Sequence, residues 1–412
     1  MNILCIYNGF SIANNLGDDI LYPILIELFK YTLEHKFKIL TKDIKKNNII
    51  IDKINVPIIK IIGGGSIIHP LCESFTRFQY NNVESILFIA GTGFTDVNKS
   101  NILEENIYKL FDDKCFKQFM FNDNIIKTNY DRISYFKEKN KQYGGFRGIF
   151  ENELINHSYS SNIPIMNDMG LLSKIIIDKD YNNINLDYNS FNRKIIIINP
   201  INIGGIDAFK NKDLSYKDYN KYIDDVLIKF SIYLIKNGYF IYILSCASEK
   251  EEYFYNNIVL KLEDNEKKYV TYRQEICSLQ DYIFLIKKAY LVIGTRLHCN
   301  IIANGLRIPS INIAYGIKNI NYAITSQLLD YCVPTFKKYL SCEKLIDIFQ
   351  NIINKYEDIV SILETTHNKC FNEYIENIEI MLKTLIVNES YKSCNIEINT
   401  HQMSSKFLMK FS

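Results

Sequence analysis

Apolar residues fall in two alternating patterns along this 412-residue chain: compact continuous runs, and longer stretches in which they recur every three or four positions. The runs at residues 2–7, 58–62 and 85–90 are bounded by polar or glycine-rich segments, as expected of strands buried on both faces. Residues 142–148 and 163–168 read as two further short strands. Residues 20–33 place Leu21, Ile24, Leu25, Leu28 and Leu33 near helical spacing, with Asp18 or Asp19 available as N-cap. Residues 98–141 read as helical.

Around residues 181–193 the chain turns polar and Asn-rich without a period, and this segment is the predicted linker. The rhythm then restarts. Strands are predicted at 194–199, 239–245, 269–272, 291–293 and 310–313, with helices at 216–237, 249–262, 279–289 and 297–306 between them. Strands separated by such helices predict parallel pairing through right-handed crossovers. The expected fold class is therefore α/β, with two Rossmann-like domains whose parallel sheets face each other across a cleft. The expected domains are residues 1–185 and 190–340, followed by C-terminal helices at 341–387 and a loosely ordered tail at 388–412.

Composition narrows the function classes. Apolar residues make up 47% of the chain and charged residues 23%, enough apolar surface to offset the ordering entropy of packed domains. Forty-eight basic against forty-six acidic side chains leave +2, so no global field draws the chain to nucleic acid, and no such partner is expected. The excess of Ile, Asn, Lys and Tyr reads as the codon bias of an AT-rich genome rather than as chemistry. Ten Cys without a Cys-x-x-Cys pair predict reduced, mostly buried thiols. The N-terminal run reads as a core strand rather than a signal peptide, and no apolar stretch approaches the ~18 residues needed to span a bilayer. A soluble, cytoplasmic protein is the expectation.

In open parallel sheets, ligands bind beyond the carboxyl ends of the strands. The densest polar cluster at such an end is 294–318, GTRLHCNIIANGLRIPSINIAYGIK. There a strand stops at Gly294-Thr295 and a helix opens near Arg296, so unpaired N–H groups and the helix dipole make an anion site. Arg296 adds a forked, permanently charged donor, and His298 a group that exchanges protons near neutrality. Tyr315 and Lys318 follow the next strand. Residues 14–19, after the first strand, offer Asn15, Gly17 and Asp18. Their amide and carboxylate match sugar hydroxyls, and equally suit a helix cap with a turn glycine. Arg147 and Asp168 sit at two more predicted strand ends, and His69, beyond the Gly63-Gly64-Gly65 turn, is a spare acid–base candidate. No His, Cys, Asp or Glu triplet has metal-ligand spacing, and no P-loop or complete Gly-x-Gly-x-x-Gly is present, so neither a metal nor a nucleotide cofactor is expected.

Taken together, these residues resemble the polysaccharide pyruvyl transferase family. The strongest likeness is a hydrophobic strand, Arg296-Leu297-His298, a helix, Pro309, a strand, then Tyr315 and Lys318. Asn15-Leu16-Gly17-Asp18 and the triple-glycine turn match near the N-terminus; Arg147 and Asn167-Asp168 match more loosely. Gly148 and Glu151 stand where the family often has an acidic and a hydroxyl residue. The resemblance implies a fold similar to GT-B glycosyltransferases. It also implies phosphoenolpyruvate as co-substrate, and transfer of its pyruvyl group as a ketal onto two hydroxyls of a sugar or glycan. On that reading Gly294, Thr295, Arg296, Lys318 and Arg147 hold the donor, and His298 supplies the acid or binds phosphate. Asn15, Gly17, Asp18 and Asp168 face the acceptor. The alternatives are a glycosyltransferase using a nucleotide sugar and a degenerate, non-catalytic glycan-binding protein.

Overall fold

A computed structural model describes residues 2–8, 16–33, 38–43, 58–63, 86–93, 142–149, 152, 156, 163–177, 192–201, 215–246, 251–273 and 278–387. The expectations for Asn15, Gly64, Gly65, His69, residues 98–141, most of the linker and the tail lie outside these residues.

The first half builds a parallel sheet from β1 (Asn2–Asn8), β2 (Lys38–Asp43), β3 (Ile58–Gly63), β4 (Ile86–Thr92) and β5 (Gln142–Phe146), in the order β2-β1-β3-β4-β5. A short helix α1 (Leu16–Asp19) and the longer α2 (Leu21–Leu33) follow β1. The second half is a separate parallel sheet of β6 (Ile195–Asn199), β7 (Phe240–Ile243), β8 (Val270–Tyr272), β9 (Leu291–Gly294), β10 (Ser310–Ala314) and β11 (Cys332–Pro334), ordered β11-β10-β9-β6-β7-β8. Its crossovers are α3 (Tyr216–Lys236), α4 (Glu251–Val259), α5 (Leu279–Lys287), α6 (Leu297–Gly305) and α7 (Ile317–Thr325). The chain closes with α8 (Cys342–Asn354) and α9 (Tyr356–Val387).

The Ile run of β6 shows why these segments become central strands. Ile195 and Ile197 face one apolar cluster and Ile196 and Ile198 another, so the period of two places a branched side chain in a core on each face. The first of these clusters runs unbroken from α2 and β4 through α6 to the inner face of the second sheet, joining the halves. Local sequence sets the helix starts. Ser215 caps α3 by accepting from the Asp218 amide at 3.2 Å, and Ser278 and Asp281 form a reciprocal capping box at α5.

One expectation needs correction. Residues 163–168 do not form a strand: a single bridge joins Ile165 to Phe146, and a 3-10 helix begins at Met169. Pro164 has no N–H to give a ladder, and the Asp168 side chain accepts from the Gly170 amide, which starts the helix instead. The C-terminal stretch after residue 341 forms two helices that meet at Lys355.

Candidate active site

The second sheet reverses its strand order between β6 and β9, the place where an open parallel sheet leaves a crevice at its carboxyl edge. Asn199 ends β6 and ties this edge together. Its carbonyl accepts from the Thr295 amide at 3.3 Å and the Thr295 hydroxyl at 3.0 Å, and its side-chain oxygen accepts from the Arg296 amide at 3.0 Å. Behind it, the Asn300 amide donates to the Gly294 carbonyl at 2.9 Å, and Asn319 donates to Asn312 at 3.0 Å and to the Thr295 carbonyl at 3.4 Å. The first turn of α7, which carries Lys318, is thereby fastened to the turn that carries Arg296. Asn199, Asn300, Asn312 and Asn319 are all buried, so each bond forms away from competing water.

His298 stands in the first turn of α6 and is buried against the other half of the molecule. Its Nδ1 lies 3.3 Å from Oδ1 of Asp18 in α1, and its Nε2 lies 3.6 Å from Oδ2 of Asp168. The same Asp168 oxygen accepts from Arg147 Nη1 at 2.8 Å, while its Oδ1 accepts from the Gly170 amide at 2.9 Å. Gly17 allows this approach. A Cβ there would overlap the Cβ of His298 and lie 3.0 Å from its Cγ. Close by, the Leu16 amide donates to the Cys246 carbonyl at 3.2 Å, so α1 is held to the second half by backbone as well.

This arrangement decides the charges. Burial disfavours the imidazolium of His298, but the carboxylates of Asp18 and Asp168 outweigh both burial and the repulsion of Arg147, and its pKa is raised. Burial likewise opposes ionisation of Asp168. The neighbouring His298, then Arg147 and the Gly170 amide, nevertheless hold it well below the usual carboxylate range. Beneath the site, the buried thiol of Cys246 is lowered to about 7 by its hydrogen bond with Cys299, against burial, with help from Tyr282 and the charges of Arg296 and His298. Cys299, its partner, is pushed up by that bond and by burial.

The structure therefore brings Gly17, Asp18, Arg147, Asp168 and His298 to one point, with Gly294, Thr295 and Arg296 on the adjoining edge. Lys318 is half-buried, its Nζ 5.2 Å from the Tyr315 ring centroid. Arg147 and Asp168 are 8% and 2% exposed, so both are enclosed groups acting on neighbours. Asn199, Asn312 and Asn319 escaped the sequence reading, which set the Asn excess down to codon bias. For two of them the signal was position: Asn199 closes the apolar run IIIIN, and Asn312 interrupts SINIA. Among the described residues, no group of three His, Cys, Asp or Glu is placed to hold a metal ion, and no helix is long and apolar enough to cross a membrane.

The sequence profile of polysaccharide pyruvyl transferases matches residues 15–317. The chain belongs to that family. The matched span carries Asp18, Arg147, Asp168, Arg296 and His298, the groups that meet across the halves. No curated protein sequence matches the chain. Solved structures do. A UDP-N-acetylglucosamine 2-epimerase from Listeria monocytogenes superposes with a TM-score of 0.57 at 10% identity, over 96% of this chain and 99% of its own. MnaA from S. aureus, solved with UDP, gives 0.53 at 9% identity over 96% and 100%. UDP-GlcNAc 2-epimerase from Neisseria meningitidis gives 0.51 at 11% over 94% and 100%. At such identities these likenesses speak to the fold alone, which is GT-B-like.

Proposed function

We propose that this family member transfers the pyruvyl group of phosphoenolpyruvate onto two hydroxyls of a sugar or glycan, forming a ketal and releasing phosphate. The observation that carries the proposal is the His298 imidazole held between two carboxylates from the opposite half, beside an anion-binding strand edge. Phosphoenolpyruvate must first gain a proton at its vinyl carbon, which makes C2 electrophilic. A buried imidazole whose pKa two carboxylates raise is suited to give it. One acceptor hydroxyl adds to C2, the C2–O bond to phosphate breaks, and the second hydroxyl closes the ketal. Of the two hydroxyl protons released, one restores His298 and the other leaves with phosphate. Arg296 and Lys318 hold the donor's anionic ends and stabilise the departing phosphate. Asp18 and Asp168 are assigned to the imidazolium, with Arg147 fixing Asp168. No step needs a metal or a further cofactor.

The test is incubation with phosphoenolpyruvate and a panel of sugars, following phosphate release together with a product heavier by one pyruvyl ketal. His298→Gln keeps a hydrogen-bond donor but delivers no proton at neutral pH, and should lower turnover about 100-fold or more. Transfer from a UDP-sugar, with no phosphate released from phosphoenolpyruvate, would move the assignment to a glycosyltransferase.

A further inference from the structure

Helix α9 begins 39 positions beyond the last residue matched by the family profile, at Tyr356 against residue 317, yet it returns to the first half and grips the segment that carries Asp168. One face does this. His367 Nδ1 donates to the Leu171 carbonyl at 2.8 Å, the Cys370 thiol donates to the Asp168 carbonyl at 3.9 Å, and the Tyr374 hydroxyl donates to the Asn167 carbonyl at 3.0 Å. Three residues on, Asn377 accepts from the Gly144 amide of β5 at 3.2 Å. Positions 367, 370, 374 and 377 recur at three and four, so they line one side of the helix. His367, Cys370 and Tyr374 are buried, so these carbonyls have no water to fall back on. Gly91 closes the remaining space: its φ is +58°, and a Cβ there would overlap the Tyr374 hydroxyl and lie 2.6 Å from the Asn167 carbonyl.

We propose that α9 is a positioning element of the site, with Tyr374, Cys370 and His367 fixing the 167–171 backbone so that the Asp168 carboxylate meets Nε2 of His298. The Asp168 side chain caps the 3-10 helix whose carbonyls α9 holds, so its direction follows that backbone. The proposal rests on the reading of His298 as the acid, but its central measurement does not need the reaction. The groups facing His298 are Asp18 from α1, and Asp168 and Arg147 from the first half. Cys246 and Arg296 complete its charged surroundings in the second half. Of these, Asp168 is the one α9 controls.

The experiment is the titration of His298 in the full chain by NMR with ring-labelled histidine, its signal assigned by loss in His298→Gln. In Tyr374→Phe the Asn167 carbonyl loses its partner and Asp168 drifts from Nε2, so the His298 midpoint should fall by about half a pH unit or more. Turnover should fall roughly ten-fold at neutral pH, with KM for phosphoenolpyruvate within about two-fold, as expected when only the acid is disturbed. If Tyr374→Phe does not fold, the pair His367→Leu and His367→Asn gives the same reading. The leucine should lower the midpoint, and the asparagine, which retains a donor near Nδ1, should restore it. An unchanged His298 midpoint in a folded Tyr374→Phe or His367→Leu variant overturns the proposal. A lowered midpoint in a protein that never transfers pyruvyl groups would instead sustain the positioning role and discard the reaction.

Discussion

Gly17→Ala tests whether the two halves meet as closely as the site requires. Gly17 lies in α1 outside the left-handed region, so alanine fits its backbone, and propensity alone would favour the change by about 0.5–1 kcal/mol. The structure predicts the opposite sign. The new methyl would overlap Cβ of His298 and stand 3.0 Å from Cγ and 3.1 Å from Nδ1. Cβ is fixed to the α6 backbone and cannot swing aside as the end of a long side chain could, so α1 and α6 must separate. Overpacking of this kind costs about 1–3 kcal/mol, more than propensity returns. At about 1 °C per kcal/mol for a chain of this length, Tm should fall by about 1–2 °C. Asp18, the next residue, should also leave Nδ1 of His298, lowering the midpoint of its titration. Gly238→Ala is the control: nothing lies within 4 Å, but its φ is +88°, so it should lose about 1–2 kcal/mol from backbone strain and leave His298 alone. A Gly17→Ala protein as stable as the parent, with an unmoved His298, would refute the close packing of α1 on α6.

Three further outcomes follow from the same geometry. Arg296→Ala should weaken phosphoenolpyruvate binding many-fold by calorimetry, and Arg296→Lys should recover only part of it, because an ammonium cannot make a forked contact; full recovery would show that point charge suffices. Arg147→Met leaves the buried Asp168 without its guanidinium and should cost about 3–5 kcal/mol in denaturant unfolding, a loss under about 1 kcal/mol contradicting the burial of the pair. Because His298 has its pKa raised by folding, the stability it gains from Asp18 and Asp168 is complete below its unfolded pKa and disappears as pH rises through the folded value. The Tm gap between the parent and His298→Gln should therefore narrow from pH 6 to pH 9, and a gap that stays constant would show that the imidazole is not charged at the lower pH.

The parts of the fold that could be read from sequence were those in which one residue pattern had one cause. Central strands such as β6 and β9 are apolar on both faces, and their runs stand out. The strands that went unread, β2 and β11, lie at the edges of the two sheets. There one side lacks a neighbouring strand, and KILTKD and CVP carry little of the continuous apolar signal. The site divides in the same way. Arg296 and His298 announce themselves because a charged and a titratable residue open a helix after a strand. The roles of Asp18, Asp168 and Arg147 depend on contacts across 280, 130 and 151 positions of sequence from His298, as the numbering of these residues shows, and no local period encodes such contacts. The clamp made by α9 is less legible still: His367, Cys370 and Tyr374 look like core positions, and only their hydrogen bonds reveal which carbonyls they hold.

The placement of the acid between the halves has a consequence for how far a motif can carry a mechanism. In α6 alone, His298 sits in the first turn of a helix, where the dipole disfavours a positive charge, and burial disfavours it again. Both effects work against a proton on the imidazole. The opposing pull comes from the other half, from Asp18 next to the glycine that lets α1 approach and from Asp168 on a backbone held from behind by α9. Arg147 does not cancel this, because it is spent on Asp168, keeping that carboxylate ionised where burial would protonate it. The Arg-Leu-His segment therefore places the imidazole, while the opposite half raises its pKa. In the reaction proposed above, proton delivery would be a property of the two halves assembled, and substitutions at Gly17 or Tyr374 should alter it as surely as substitutions at His298.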